Sequence, residues 1–344
     1  LKVKAIDLFC GIGGLTCGLN QSGINVVAGI DLDPSCKYAY ETYNHADFLL
    51  ADITQLTGDH LNRYFLNADF TVLAGCAPCQ PFSKLQQEHK RMTHKSWPML
   101  NEYLRLIEEM HPDIVSMENV PDLERKDIFE HFVGQLKELG YSVNYKIIDA
   151  ATVGVPQRRR RLIFLASLLG DIQFAKYPEK HVTVADTISK LPPLMAGKTD
   201  PIDPLHTCSS LGNANLERIR HSTPGGTWRD WPAKLLPNCY KRTSGQTYTS
   251  VYGRMSWDEP APTLTTQFNN YGTGRYGHPE QDRAISIREG ALLQSFPVDY
   301  PFLEPEGKTS IKVLARQIGN ALPPLLGKYI GHSIQEHLKE QTNV

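Results

Sequence analysis

No apolar run in this 344-residue sequence approaches the roughly 18 residues that a membrane-spanning helix requires. The start at Leu1 also lacks the basic, apolar and small-residue order of a secretory signal, so the chain is expected in the cytoplasm, and the absence of an initial methionine suggests trimming or processing. An excess of charge of one sign is missing as well: 36 Lys and Arg face 37 Asp and Glu, a formal charge of −1. That balance leaves nucleic-acid binding to a local basic stripe, not to the total field. Cysteine is sparse and odd in number, 7 residues spread along the chain, which argues against a disulfide framework and for reduced thiols. Cys76 and Cys79 form a lone CxxC. With no second CxxC, no HxxxH and no helix placed as in a thioredoxin-like motif, neither a metal site nor a redox pair is expected. Internal repeats and low-complexity runs are absent too, which removes solenoids and linkers. What is present, 41% hydrophobic and 21% charged residues in a length that suits about two domains, describes a water-soluble globular protein.

From Val3 to Leu169, apolar runs of strand length alternate with amphipathic stretches of helix length, the pattern of a parallel sheet covered by helices. Strands are expected at Val3–Phe9, Asn25–Ile30, Phe48–Ala51, Phe70–Ala74, Asp113–Met117, Ser142–Ile148 and Leu162–Ala166. Helices are expected near Leu15–Ser22, Lys37–Tyr43, Met99–Met110 and Ile128–Leu139. After about Tyr177, prolines cluster, glycines pair and helical periodicity fades, so a second domain of β-structure and loops is expected. A last helix over Leu325–Leu338 is expected to pack back on the first domain. The domain reading is therefore 1–176, 177–308 and a returning segment 309–344.

Between the first strand and first helix runs Asp7-Leu8-Phe9-Cys10-Gly11-Ile12-Gly13-Gly14, where backbone N–H groups at a helix N-terminus meet a nucleotide-like ligand. The dinucleotide fingerprint fails, since Thr16 stands where its third glycine belongs. Asp31 ends the second strand and Asp52 follows the third. Three acids at successive strand ends beside a glycine turn suit a ligand with a ribose and an amino group but no pyrophosphate, a description that fits S-adenosylmethionine. The plainer alternative is a structural turn with capping acids.

Cys79 lies in Gly75-Cys76-Ala77-Pro78-Cys79-Gln80-Pro81-Phe82-Ser83, a proline-stiffened loop after the fourth strand, at the carboxyl edge where open sheets bind ligands. Glu118 ends the next strand on the same rim. Strand alternation sends Arg159 and Arg161 to one face and Arg158 and Arg160 to the other, so one pair can serve a pocket holding a nucleophile and an acid. Taken singly, a glutamate at a strand end or a run of four arginines is ordinarily a solvated face.

In this order the motifs resemble those of the C5-cytosine-specific DNA methyltransferases of the bacterial restriction–modification type. The resemblance covers nearly the whole chain and continues through Gln157 with Arg159 and Arg161, Ile287–Pro297, and Gln317-Ile318-Gly319-Asn320-Ala321. It implies an α/β fold with a doubly wound, Rossmann-like mixed sheet and a smaller β/loop-rich target-recognition domain. Cys79 takes the role of nucleophile on C6 of a flipped cytosine, Glu118 holds the N3 and N4 edge, and Arg159 and Arg161 position the base. The cofactor is S-adenosylmethionine, leaving S-adenosylhomocysteine, without metal. Its implied contacts are Phe9, Gly11, Gly13, Gly14, Asp31 for the ribose, Asp52 and Ile53 for the adenine, and Asn320. The implied substrate is double-stranded DNA, with a cognate restriction endonuclease as a separate protein, in the bacterial cytoplasm or nucleoid. A monomer is the family default.

The stretch from Gly212 to Arg254 carries a net +5 (Arg218, Arg220, Arg229, Lys234, Lys241, Arg242 and Arg254 against Glu217 and Asp230), interleaved with Trp228, Trp231, Tyr240, Tyr248 and Tyr252. This is read as the DNA-docking surface, with an aromatic core under a solvated basic face as the competing reading. Lys84–Lys95 is read as a basic loop closing over DNA. Three alternatives are kept beside the main reading: a tRNA cytosine-5 methyltransferase of the same fold, an NAD-dependent oxidoreductase and a non-catalytic DNA-binding module. The long basic domain, the missing third glycine and the combination of Cys79, Glu118 and the arginine pair count against them in turn.

Overall fold

The computed structural model describes residues 1–78, 98–177, 181–242, 245, 247, 249–305 and 310–342. They form two compact units, one of Leu1–Val153, Arg160–Pro178 and Leu322–Val344, the other of Gly154–Arg159 and Glu179–Ala321.

The first unit is built on seven strands: β1 (Val3–Leu8), β2 (Asn25–Asp31), β3 (Asp47–Leu50), β4 (Phe70–Gly75), β5 (Ile114–Asn119), β6 (Ser142–Asp149) and β7 (Arg160–Ser167). Their order is β3-β2-β1-β4-β5-β7-β6. All neighbours pair in parallel except β7, which runs antiparallel to both β5 and β6. The sheet is therefore mixed. The strand order reverses direction between β1 and β4, which makes the carboxyl ends of those two strands the place where an open sheet binds its ligand.

Among the described residues the helices are α1 (Gly14–Gln21), α2 (Lys37–Asn44), α3 (Gly58–Asn62), α4 (Pro98–Met110), α5 (Asp127–Glu138), α6 (Val184–Ile188), α7 (Asn213–Arg220), α8 (Ile287–Leu293), α9 (Ile311–Asn320) and α10 (Pro324–Thr342). The central strands are apolar on both faces because helices cover both. Ile6, Leu8, Leu73, Val115, Met117 and Phe164 are fully buried, and Tyr103, Phe129 and Phe132 of α4 and α5 join their core. Tyr103 pins α4 to the sheet, its hydroxyl lying 2.8 Å from the Ser116 carbonyl and 3.0 Å from that of Leu73. α10 presses against α1 at backbone distance, where Gly18 lies against Pro324 and Lys328 and Gly331 lies against Ser22.

The second unit departs from the expected texture. Its extended segments meet only in isolated bridges, such as Arg254 with Gly277 and Thr199 with Thr207, and no strand forms among its described residues. Prolines recur through these segments and interrupt a ladder by removing its N–H donors. Order comes instead from an aromatic cluster of Trp228, Trp231, Tyr240 and Tyr271 and from buried arginines. Arg254 gives Nε to the Ile219 and Ser222 carbonyls at 3.1 Å and Nη1 to those of His278 and Gln281 at 2.8 and 2.7 Å. Arg283 forms a fully buried two-point pair with Glu289, both bonds 2.7 Å. The chain after residue 309 divides: α9 belongs to the second unit, and the return to the first begins at Leu322.

Candidate active site

β1 delivers the chain to a turn that L-residues do not adopt easily. Phe9, Gly11 and Gly13 have φ of 59°, 52° and 84°. Two of these positions are glycine, for which the left-handed region carries no side-chain penalty; at Phe9 the strain is stored at the turn itself. The turn is closed by Cys10 N–H to the Ile30 carbonyl (3.0 Å) and Gly13 N–H to the Cys10 carbonyl (2.9 Å). α1 then begins with no side chain capping it, so its N-terminal end keeps the partial positive charge that suits an anionic group.

Asp31, half-buried at the end of β2, accepts Gly11 N–H at 2.8 Å and Asp33 N–H at 2.9 Å, which locks its carboxylate to the glycine turn. Asp52 caps the next turn through Thr54 N–H at 3.0 Å, Ile53 beside it is buried, and Phe9 is half-buried against the core. Phe9, Gly11, Gly13, Gly14, Asp31, Asp52 and Ile53 all belong to the first unit, whereas Asn320 is exposed at the end of α9 in the second. The three-acid reading needs one correction. Asp7 is 0% exposed and bonds Thr16, so it does not face a ligand. Burial pushes its carboxyl up to about 7, with the Thr16 hydroxyl acting the other way and Asp31 adding to the rise.

At the other side of the switch point, β5 ends in Glu118 and Asn119. Asn119 Nδ2 donates to the Ala77 carbonyl at 3.1 Å, which ties the strand end to the segment leading towards residue 79. Glu118 receives Arg161 Nε at 2.8 Å, with 11% and 15% of the two side chains exposed, so the pair is shielded from most of the screening that weakens surface pairs. The antiparallel register places Ile163 opposite Glu118, two residues from Arg161, and this brings the arginine within reach. Cys79 lies outside the described residues, as do Tyr248 and the expected basic loop Lys84–Lys95. Asn119 belongs to the Glu118-Asn119-Val120 motif of the family resemblance, which assigned it no role of its own.

Burial alternates along the arginine run as expected: Arg158 and Arg160 are exposed, Arg159 is buried and Arg161 intermediate. Arg159, however, spends Nη1 on the Leu264 carbonyl (3.0 Å) and Nη2 on that of Gly319 (3.4 Å), both within the second unit. Gln157 joins the same network, accepting Leu264 N–H at 2.9 Å and donating to Gln294 Oε1 at 2.8 Å. Gln294 in turn donates to the Ile318 carbonyl at 2.6 Å. Four separate sequence motifs are thus stitched together by buried amides.

The basic stripe is also corrected. Its described aromatic residues are core, not surface: Trp228, Trp231 and Tyr240 are buried, and Tyr252 packs against them. Arg254 is buried, and Arg218 bonds the Leu235 carbonyl while its guanidinium lies 5.8 Å from the Trp231 ring. Arg220 pairs with Glu217 and Asp282, leaving Arg229, Lys234, Lys241 and Arg242 as the stripe's exposed cations outside these pairs.

Residues 3–336 match the family described as C-5 cytosine-specific DNA methylase. Type II methylase M.HgiDII of Herpetosiphon aurantiacus is 49% identical over 340 residues, which cover 97% of this chain and 95% of that protein. Type II methyltransferase M1.HphI of Haemophilus parahaemolyticus is 32% identical, with 100% of this chain and 88% of that one covered. Among solved structures, an E. coli prophage protein assigned as a DNA modification methyltransferase matches with a TM-score of 0.74 at 21% identity, covering 98% of this chain and 99% of that one. At that identity the likeness is one of fold.

Proposed function

The chain belongs to the C-5 cytosine-specific DNA methylase family, and on that premise we propose that it methylates a cytosine flipped out of duplex DNA at one short sequence, as the modification enzyme of a restriction–modification system. The observation that carries the reading is the largely buried Glu118–Arg161 pair at the carboxyl edge of the sheet, beside the Asn119–Ala77 bond that leads towards Cys79. Five relatives above 30% identity carry Type II methylase or methyltransferase names, which favours DNA over tRNA as substrate.

The glycine turn fits S-adenosylmethionine. An added Cβ at Gly11 would meet nothing within 4 Å, so the turn is open on that side, and the uncapped start of α1 suits the carboxylate of an amino-acid end. Asp31, oriented by two backbone N–H groups, would accept the ribose hydroxyls, and Phe9, Asp52 and Ile53 would border the adenine. When bound, S-adenosylmethionine supplies an electrophilic methyl group.

Cytosine C5 is a weak nucleophile, so the ring has to be made electron-rich first. The Cys79 thiolate adds to C6, forming an S–C6 bond, and the displaced electron pair is drawn towards N3 and C5. Glu118 holds the N3 edge as that nitrogen takes up a proton, and Arg161 fixes the carboxyl group in place through its 2.8 Å bond. Once C5 is methylated, a base takes the C5 proton, the electron pair of the S–C6 bond leaves on sulfur as C5=C6 re-forms, and N3 returns its proton to Glu118, which restores the thiolate and the aromatic ring. Arg159 gives its guanidinium to the Leu264 and Gly319 carbonyls and so orders the Pro262–Thr265 segment of the second unit.

Base-resolution methylation mapping in a host without cytosine methylation tests this. The expected result is 5-methylcytosine at one short motif with the intact chain and none with Cys79→Ser. Modified tRNA with unmodified DNA would overturn it.

A further inference from the structure

One ionisable side chain is sealed directly beneath the glycine turn. Asp7, near the end of β1, is 0% exposed, as are Thr16 and Tyr40. Asp7 Oδ2 accepts the Thr16 hydroxyl at 2.7 Å, while Oδ1 has no hydrogen-bond partner. Thr16 Oγ1 also lies 3.1 Å from the Tyr40 hydroxyl. A threonine hydroxyl has one proton; given to Asp7 Oδ2, it makes Tyr40 the donor to Thr16, and the three groups form one relay that ends on the carboxyl group. Gly29 of β2 is built around it, since a Cβ there would come 2.3 Å from the Tyr40 oxygen.

An ionised carboxylate in this place would hold a full charge in a dry core on one neutral donor. The titratable groups among the described residues that bear on it are Asp31, which repels the charge, and the neutral thiol of Cys10 and hydroxyls of Tyr40 and Tyr103; none of these is a cation. A neutral carboxylic acid leaves only one unmatched O–H, a far smaller cost than an unpaired charge.

We propose that Asp7 acts as a neutral carboxylic acid and is a positioning residue for the cofactor turn: through Thr16 it fixes the first turn of α1 and hence the Gly11–Gly14 backbone that Asp31 grips. The proposal rests on the reading of that turn as the S-adenosylmethionine site. Burial, with Asp31 adding to the rise and Thr16 opposing it, lifts the carboxyl to about 7, so ionisation proceeds through neutral pH and sets a charge against Asp31 under the turn.

The test is calorimetric binding of S-adenosylhomocysteine to the whole chain from about pH 6 to pH 8.5. For the unmodified protein, affinity falls above neutral pH, by up to about tenfold per pH unit where only the protonated form binds fully. Asp7→Asn keeps an acceptor for Thr16 and cannot ionise; it is expected to bind as the unmodified protein does at pH 6 and to show no such fall. Thr16→Val, which cuts the relay, binds more weakly at every pH. An Asp7→Asn profile as steep as that of the unmodified protein, or lost binding in a folded Asp7→Asn, overturns the proposal. Infrared difference spectra add a readout independent of ligand and of the variant's folding: a protonated carboxyl band present at pH 6 and gone at pH 8.5 is expected, and its absence at pH 6 overturns the proposal. If S-adenosylhomocysteine binds to no form, the cofactor reading fails and the positioning role with it, while the infrared band still decides the protonation of Asp7.

Discussion

Substituting Gly18 by alanine tests the close packing of α1, the helix that follows the glycine turn, on α10. An ideal Cβ at Gly18 would lie 2.3 Å from the Pro324 carbonyl oxygen, 2.5 Å from Lys328 N and 2.6 Å from the Gly327 carbonyl carbon. All three are backbone atoms of α10, so no side-chain rotation relieves the contact. Non-bonded heavy atoms settle near 3.5–4.0 Å, so α10 has to move by about 1 Å. That helix is anchored by Leu326, Tyr329, Ile330, Ile334 and Leu338, all buried, and a shift opens voids along the whole set. Overpacking of this kind costs about 1–3 kcal/mol and more when backbone has to move, while alanine returns about 1 kcal/mol in helix propensity. The net expectation is a loss of about 2 kcal/mol. Gly134→Ala is the control, since Gly134 lies inside α5 with nothing within 4 Å of its added Cβ; it should stabilise by about 0.5–1 kcal/mol. Urea unfolding of both variants against the unmodified chain measures the two signs. A Gly18→Ala protein as stable as the Gly134→Ala protein would refute the close packing of α1 on α10.

Asp7 also imposes a pH dependence on stability. Its carboxyl holds a proton to about 7 in the fold and to its ordinary value near 3.8 when unfolded, so between these pH values the folded chain binds more protons and stability falls as pH rises. Asp7→Asn should remove that slope, so its advantage over the unmodified protein grows from near zero at pH 4 towards an order of 4 kcal/mol above pH 7, read from melting curves; parallel curves would count against it. Glu118→Gln should lower methyl transfer by roughly 10²–10⁴ with little change in DNA affinity, and Arg161→Ala should weaken transfer by releasing the same carboxylate; full turnover in either would remove the pair from the chemistry. Neutralising Arg229, Lys234, Lys241 and Arg242 together should flatten the salt dependence of DNA binding by about 3–4 in log–log slope, whereas Arg254→Met should cost stability, because that guanidinium is buried among carbonyls.

The sheet was legible in the sequence because its strands, β6 apart, are short runs rich in apolar residues. Lys37–Asn44 and Asp127–Glu138 were legible from apolar residues at helical spacing. The second unit was less legible for a physical reason. Its order resides in contacts of arginine side chains with backbone carbonyls far away in sequence, such as Arg254 with Ile219 and Arg283 with Leu194, which leave no local period to read. The basic stripe misled for the same reason: Arg218 and Arg254 look identical to Lys234 in sequence, and only packing distinguishes a charge satisfied by carbonyls from one left in water. Likewise Asp7 reads as one more strand-end acid beside Asp31, and only its neighbours Thr16 and Tyr40 separate a sealed acid from an exposed one.

The antiparallel strand explains how the arginine run reaches Glu118. An all-parallel sheet would need a crossover to bring the strand after β6 beside β5, and its first residues would then lie at the amino edge, opposite Glu118. Because β7 enters reversed, its opening residues lie at the carboxyl edge, and Arg161 meets Glu118 within two register positions. The run of arginines therefore has to precede an apolar strand and could not follow it. The same geometry accounts for the tight sequence spacing there: moving Arg161 by one residue would turn its side chain to the other face of the sheet and leave Glu118 without its cation.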